Sequence, residues 1–242
     1  MRAATEQLRL QVEAWGVELD ETRLPLLDQY AHLLAGYELA NVIGSADRDQ
    51  IVVEHLLDSL SCLIFEGLNR GSSVIDVGTG GGLPGVPLGI ARPQLAVTLL
   101  EATKKKINFL KHVREELDLQ NLRLLSARAE EVGRDLEHRE VFEIATARAL
   151  AALPIVAEYC APLVKVGGAI LAMKGRLEEE ELAQGAAAGS ELGLELRGVL
   201  EVKYSAELTQ KERRLVVFEK VAATPENFPR RVGLARKRPL GL

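Results

Sequence analysis

The chain has 242 residues, of which 47% are hydrophobic but only 4% aromatic, and its formal net charge is −5. That length suits one good-sized domain, or one domain with a helical extension, around an aliphatic core. No apolar run approaches the roughly 18 residues of a membrane-spanning helix, and the opening residues MRAATEQ lack the apolar stretch of a signal peptide, so a cytoplasmic protein without membrane contact is expected.

The two cysteines, Cys62 and Cys160, sit in apolar surroundings and read as buried, reduced thiols. No Cys/His cluster has metal-ligand spacing, so no metal is expected. The charge is unevenly spread. Residues 229–242 hold five basic side chains (Arg230, Arg231, Arg236, Lys237 and Arg238) and no acid, which leaves −10 on the rest. An acidic body with a basic tail suits contact with a polyanion at one end.

In chain order, Leu8, Val12 and Trp15 recur at helical spacing and predict a first helix over Thr5–Trp15. A second spans Glu21–Ala40, with Leu24, Leu27, Tyr30, Ala31 and Leu34 on one face and Pro25 in its first turn. A third covers Asp49–Gly67. Within it His55 and Asp58 are three apart and share a face. Local capping is the favoured reading of that pair, with substrate contact or support of a neighbouring loop as the alternative.

The organising stretch is Val74–Arg92. Val74, Ile75 and Val77 read as a strand buried on both faces, with one acid, Asp76, among them. Gly78, Gly80, Gly81 and Gly82 follow, then an apolar helix over Leu83–Ala91. Strand, glycine turn and helix open a nucleotide-binding α/β fold, serving either a dinucleotide or S-adenosylmethionine. Two features favour the methyl donor. Asp76 is placed to hold the turn or bind the cofactor's amino group. Pro84 falls where a pyrophosphate wants backbone N–H groups, and proline has none.

Leu95–Leu100 reads as the second strand and ends in Glu101, where an acid can accept hydrogen bonds from both ribose hydroxyls. Thr103 is placed to cap the next helix, Lys104–Leu117. That helix opens with Lys104, Lys105 and Lys106, a solvated face or a polyanion landing site. Leu122–Leu125 is a third strand and Phe142–Thr146 a fourth. Arg148, just past the fourth, is placed near the transferred group, to hold a substrate phosphate or to pair with an acid; a purely structural ion pair is the lesser alternative. A helix over Leu153–Cys160, a strand over Gly168–Met173 and a helix over Arg176–Gly189 follow, the last with a solvated run Glu178–Glu181. Leu192–Tyr204 and Arg213–Lys220 resemble a closing antiparallel pair. The expected architecture is α/β: a doubly wound sheet of about seven strands with one antiparallel. The expected division is a helical cap over 1–70, a Rossmann-like domain over 71–222 and a basic tail over 223–242.

These motifs together carry a family resemblance. His55-x-x-Asp58-Ser59-Leu60, Asp76 through Gly85, Glu101-x-x-x-Lys105-Lys106-x-x-Phe109-Leu110, Arg128-Ala129-Glu130, Ala147-Arg148-Ala149 and Met173-Lys174-Gly175 occur in one order. The chain closely resembles the RsmG family, also called glucose-inhibited division protein B, over nearly its whole length. The resemblance implies a class I methyltransferase fold and transfer of a methyl group from S-adenosyl-L-methionine to N7 of one guanosine in 16S ribosomal RNA. It implies cofactor contacts at Gly78, Leu83, Glu101, Ala102, Thr103, Ala129, Glu130 and Arg148. Glu130 is expected near the adenine; it and Arg148 are the candidates for a catalytic part, Arg148 in substrate positioning. RNA contact is expected from basic residues near the pocket and from Arg230, Arg231, Arg236, Lys237 and Arg238. A monomer acting on ribosomal RNA or a ribosomal particle is expected.

The sequence departs from the family pattern in three places. Asn41 is followed by Val42-Ile43 in place of Leu-Thr, so a hydroxyl is missing. Leu83 stands where phenylalanine is frequent. The tail lacks two prolines and is expected to be more flexible. No Asp/Asn-Pro-Pro-aromatic motif for an exocyclic amine and no Pro-Cys nucleophile is present. Guanine N7 needs neither, because its in-plane lone pair carries no proton. Two rivals share parts of this reading: a small-molecule methyltransferase and a non-enzymatic ribosome-assembly factor.

Overall fold

The computed structural model describes residues 3–37, 43, 47–69, 73–205, 208 and 211–241. Seven strands form one sheet: β1 (Ser73–Val77), β2 (Ala96–Leu100), β3 (Leu122–Leu125), β4 (Phe142–Arg148), β5 (Val164–Lys174), β6 (Leu194–Glu201) and β7 (Arg214–Lys220). Their spatial order is β3-β2-β1-β4-β5-β7-β6. β7 runs antiparallel to both neighbours, and the other strand pairs are parallel. This is the expected doubly wound sheet with one antiparallel strand.

Alternation along the strands divides the interior in two. Val74, Val97, Leu99, Ile144 and Leu171 face one core, shared with the helices Ala3–Ala14, Leu24–Gly36, Gly85–Ala91 and Lys104–Glu116. Ile75, Val77, Ala145, Ile170 and Phe218 face the other, under the helices Leu153–Cys160 and Glu179–Glu191. The central strands β1, β4 and β5 are therefore buried on both faces along most of their length, which is why they read as near-continuous apolar runs. Tyr30, fully buried, donates its hydroxyl to the Gly81 carbonyl at 2.6 Å and so ties the N-terminal helices to the glycine turn. Tyr30→Phe leaves that carbonyl without its donor and is expected to cost about 1–2 kcal/mol. A thermal melt should show a drop of about 2–8 °C, and an unchanged midpoint would remove this tie.

Several expectations change. The second helix begins with a 3₁₀ turn, Glu21–Arg23, and ends at Gly36. Of the Val42-Ile43 departure, Val42 lies outside the described residues, and Ile43, at the position of the missing hydroxyl, is half-buried against the core. The third helix is not one regular run. It passes from an α-turn (Arg48–Ile51) through a π-turn (Val52–Leu56) to an α-turn (Leu57–Leu60), then two 3₁₀ turns. Within the π-turn the His55 carbonyl accepts the Ser59 hydroxyl at 2.7 Å and an Arg148 N–H at 2.9 Å. In the acidic run, Glu181 turns inward, accepting the Leu153 N–H at 3.0 Å and pairing with Lys174 at 2.5 Å.

The tail also departs from expectation, being held against the body. Arg134 donates to the Pro229 carbonyl, and Arg139 to those of Phe228 and Thr224, each at 2.8 Å. Arg230 binds the buried Glu158 carboxylate through its side chain and its backbone N–H. A short helix, Leu234–Lys237, follows and buries Ala235. Among the described residues no helix is long and apolar enough to cross a membrane.

Candidate active site

β1 sits between β2, which continues the chain in one direction, and β4, which begins the other half. The carboxyl ends of strands at such a switch point leave a crevice where α/β sheets bind ligands. A cleft of about 290 Å³ opens there. Val77 and Gly78 line it from β1, Leu100 to Thr103 and Lys106 from β2 and its helix, and Ala127 to Glu130 from beyond β3. Ala149 and Leu150 close it from the end of β4, and the buried Tyr159 and the exposed Arg236 complete the lining.

The glycine turn is built on Asp76. Its buried carboxylate accepts the Thr79 hydroxyl at 2.5 Å, the Gly85 N–H at 2.8 Å and the Thr146 hydroxyl at 3.1 Å. Of the two roles open to this acid, the structure shows turn support: Asp76 is fully buried and does not line the cleft. Burial pushes its carboxyl up to about 6, against the lowering pull of those hydrogen bonds. Gly85 is required by space, since a Cβ there would lie 2.3 Å from Leu99 Cδ2 and 2.9 Å from Asp76 Oδ2. Gly78 is required by its backbone conformation, with φ at +70°, and a Cβ would also force the Leu150 side chain to shift, since it would lie 2.6 Å from Leu150 Cδ1.

Glu101 is held in place by its own backbone neighbours. Oε2 accepts the Gly80 N–H at 3.1 Å and Oε1 the Thr103 N–H at 2.7 Å. A carboxylate offers about four acceptor positions, so about two remain, and the residue lines the cleft. Thr103 stands at the N-cap of the next helix but makes no side-chain cap hydrogen bond; what it contributes is its backbone N–H, given to Glu101. Ala102 and Ala129 line the cleft as expected positions; Leu83 is buried beside it and does not. Glu130 lines the cleft, and its Oε1 accepts the Gly233 N–H at 2.9 Å.

Arg148 is placed differently from expectation. Its guanidinium turns away from the cleft lining toward the π-turn. There it donates to the His55 carbonyl at 2.9 Å, the His55 Nδ1 at 2.6 Å and the Ser59 hydroxyl at 3.2 Å. Asp58 lies 3.4 Å from it and also accepts from Arg213 at 3.0 Å. The ion pair weighed as the lesser alternative is thus the observed arrangement, and His55 and Asp58 share a face because both serve this arginine. Arg213 escaped sequence reading; the only signal is its place in the charged run Lys211-Glu212-Arg213-Arg214. Tyr159 gave no signal inside an apolar helix.

His55 accepts from Arg148, so it is the neutral ring that this site holds. Burial, then the Arg148 charge, lower its pKa from 6.5 to about 4. Between those values the unfolded chain binds the proton and the folded chain does not, so the stability from this group is lost as pH falls from 6.5 toward 4. His55→Gln should lose less stability than the parent chain between pH 7 and pH 4.5 in urea melts. Equal losses would show that His55 does not titrate in this way. Burial pushes the thiols of Cys62 and Cys160 up, so neither is a nucleophile. One exposed group, Asp135, Glu137 and His138, has ligand atoms within 4.8 Å of one another, but Asp135 already pairs with His138 at 2.8 Å.

The family model described as GidB, rRNA small subunit methyltransferase G, matches residues 23–212. The chain is 49% identical over 240 residues to ribosomal RNA small subunit methyltransferase G of Rubrobacter xylanophilus, covering 99% of this chain and 92% of that one. The chain belongs to this family. To its relative of the same name in Roseiflexus sp. it is 42% identical, covering 94% and 96% of the two chains. Solved structures share the fold at lower identity. A sarcosine dimethylglycine methyltransferase from Galdieria sulphuraria superposes with a TM-score of 0.56 at 11% identity, over 81% of this chain and 98% of that one. A 16S rRNA (adenine(1408)-N(1))-methyltransferase from Catenulisporales acidiphilia does so with 0.52 at 15%, over 66% and 92%. The fold is that of the class I methyltransferases, and S-adenosylmethionine is the cofactor of this family.

Proposed function

We propose that this chain transfers a methyl group from S-adenosyl-L-methionine to N7 of a guanosine in 16S ribosomal RNA, acting in the cytoplasm. The observation that carries the reading is Glu101 at the end of β2. Its carboxylate is pre-positioned by the Gly80 and Thr103 N–H groups, with acceptor capacity left over beside a glycine-lined cleft. A nucleoside with two vicinal hydroxyls fits that donor demand. Gly78, Ala102, Thr103, Ala129 and Glu130 supply the remaining walls for the cofactor.

The cofactor supplies an electrophilic methyl group on a sulfonium. Guanine N7 attacks with a lone pair and releases no proton, so the protein's task is alignment, worth about 7–11 kcal/mol in favourable cases. Arg148 acts here by positioning. Through His55, Ser59 and Asp58 it fixes the 48–60 run against the end of β4, next to the cleft. Lys104, Lys105, Arg231, Lys237 and Arg238 are exposed and offer phosphate contacts. A base presented for modification must be unstacked, since the RNA major groove is too narrow to admit these side chains.

The test uses labelled donor and small subunits from a strain lacking this activity, followed by mapping of the modified nucleotide. Label on N7 of one guanosine supports the reading. Transfer to a metabolite without RNA dependence, or RNA binding without donor consumption, would replace it with one of the two rival readings.

A further inference from the structure

The expected role of the C-terminal segment was RNA contact alone, yet one of its basic side chains lies at the mouth of the cleft. Arg236 lines that mouth and donates to the Leu150 carbonyl at 3.3 Å. Three residues earlier in the chain, the Gly233 N–H is bound to Glu130 inside the lining. The buried Tyr159 lines the same cleft together with Glu130 and Arg236. The segment's other end is fixed by Arg230 on Glu158.

We infer that the segment 229–238 forms the outer wall of the methyl-donor cleft, and that Arg236 binds the donor at its purine end. The inference rests on the cofactor reading of the cleft. Direction comes from the sheet. With the ribose at Glu101 on β2, the lining beyond β3 receives the base, and Glu130, which holds the Gly233 N–H three residues before Arg236, stands there. A planar guanidinium suits a neutral purine, lying over its face or donating to its ring nitrogens. The five basic residues of the tail therefore divide by task. Arg230 anchors, Arg236, exposed but lining the cleft, binds donor, and Arg231, Lys237 and Arg238, exposed and outside that lining, are left for RNA.

Calorimetric titration with S-adenosylhomocysteine and with adenosine tests this in the full chain, comparing the parent with Arg236→Ala, Arg236→Lys, Tyr159→Phe and Glu101→Ala. Arg236→Ala is expected to weaken both ligands by the same factor, about 10-fold. Arg236→Lys, which keeps the charge but loses the planar fork, should recover only part of that loss. Tyr159→Phe, which removes only a hydroxyl from the lining that Arg236 shares, should weaken both by a smaller factor, and this holds the inference open to test should Arg236→Ala lower the ligand-free melting temperature. Unchanged affinity in Arg236→Ala, with Glu101→Ala still weakened, overturns the inference and leaves the cleft reading standing. Weakening of S-adenosylhomocysteine without adenosine would put Arg236 at the amino-acid end and overturn the assignment. A parent chain that binds neither ligand overturns the cleft reading and this inference with it.

Discussion

Glu101→Ala is expected to lower affinity for S-adenosylmethionine about 100-fold while the chain stays folded. Two effects act together. The ribose hydroxyls lose a charged acceptor, and such hydrogen bonds are worth about 1.5–3 kcal/mol each. The Gly80 and Thr103 N–H groups lose the acceptor that holds the glycine turn against the end of β2. Glu101→Gln keeps one oxygen but presents N–H groups to donors, so it should recover little. Titration calorimetry reads the effect directly, and affinity within twofold of the parent would remove Glu101 from the site.

Asp76→Ala should have the largest effect on stability. It empties a fully buried position and leaves the Gly85 N–H and the Thr79 and Thr146 hydroxyls without their shared acceptor. An unpaired buried donor costs about 1–3 kcal/mol, and the gap left by the carboxylate adds to it. Some of this is offset because the parent carboxylate is itself costly to bury. A net loss of about 3 kcal/mol at pH 7 follows, or about 6–12 °C in melting temperature for a domain of this size. The pH dependence has a definite sign. Burial raises the Asp76 pKa from 3.8 to about 6, so between those values the folded chain holds a proton that the unfolded chain has lost. The stability due to this group then falls as pH rises through that window. Parent and variant should therefore differ most below pH 4, and less by pH 7. A difference that grows with pH would mean that the hydrogen bonds, not burial, govern the carboxyl.

Where a property is local, it was legible in the sequence. Leu122–Leu125 and Leu153–Cys160 lie where apolar patterning puts them, and β1 departs from expectation by one residue, Ser73. Asp76 and the glycines announced the turn because its strained dihedrals and close packing restrict the residue types at those places. Properties set by distant partners were hidden. Arg148 follows from the end of β4 by position, but its direction is fixed by Asp58, ninety residues earlier, and by a π-turn with no marker in a helical apolar pattern. The tail reads as a basic arm, yet Arg230 meets Glu158 seventy-two residues away, and Arg134 and Arg139 hold its carbonyls. Composition shows such charges without showing which of them find partners.

The measurement that bears most directly on this account is a crystal structure of the chain with S-adenosylhomocysteine. The account predicts the nucleoside at the carboxyl ends of β1 and β2, both ribose hydroxyls on the Glu101 carboxylate and the purine beside Ala129 and Glu130. A nucleoside bound elsewhere, or a ribose turned away from Glu101, would contradict it.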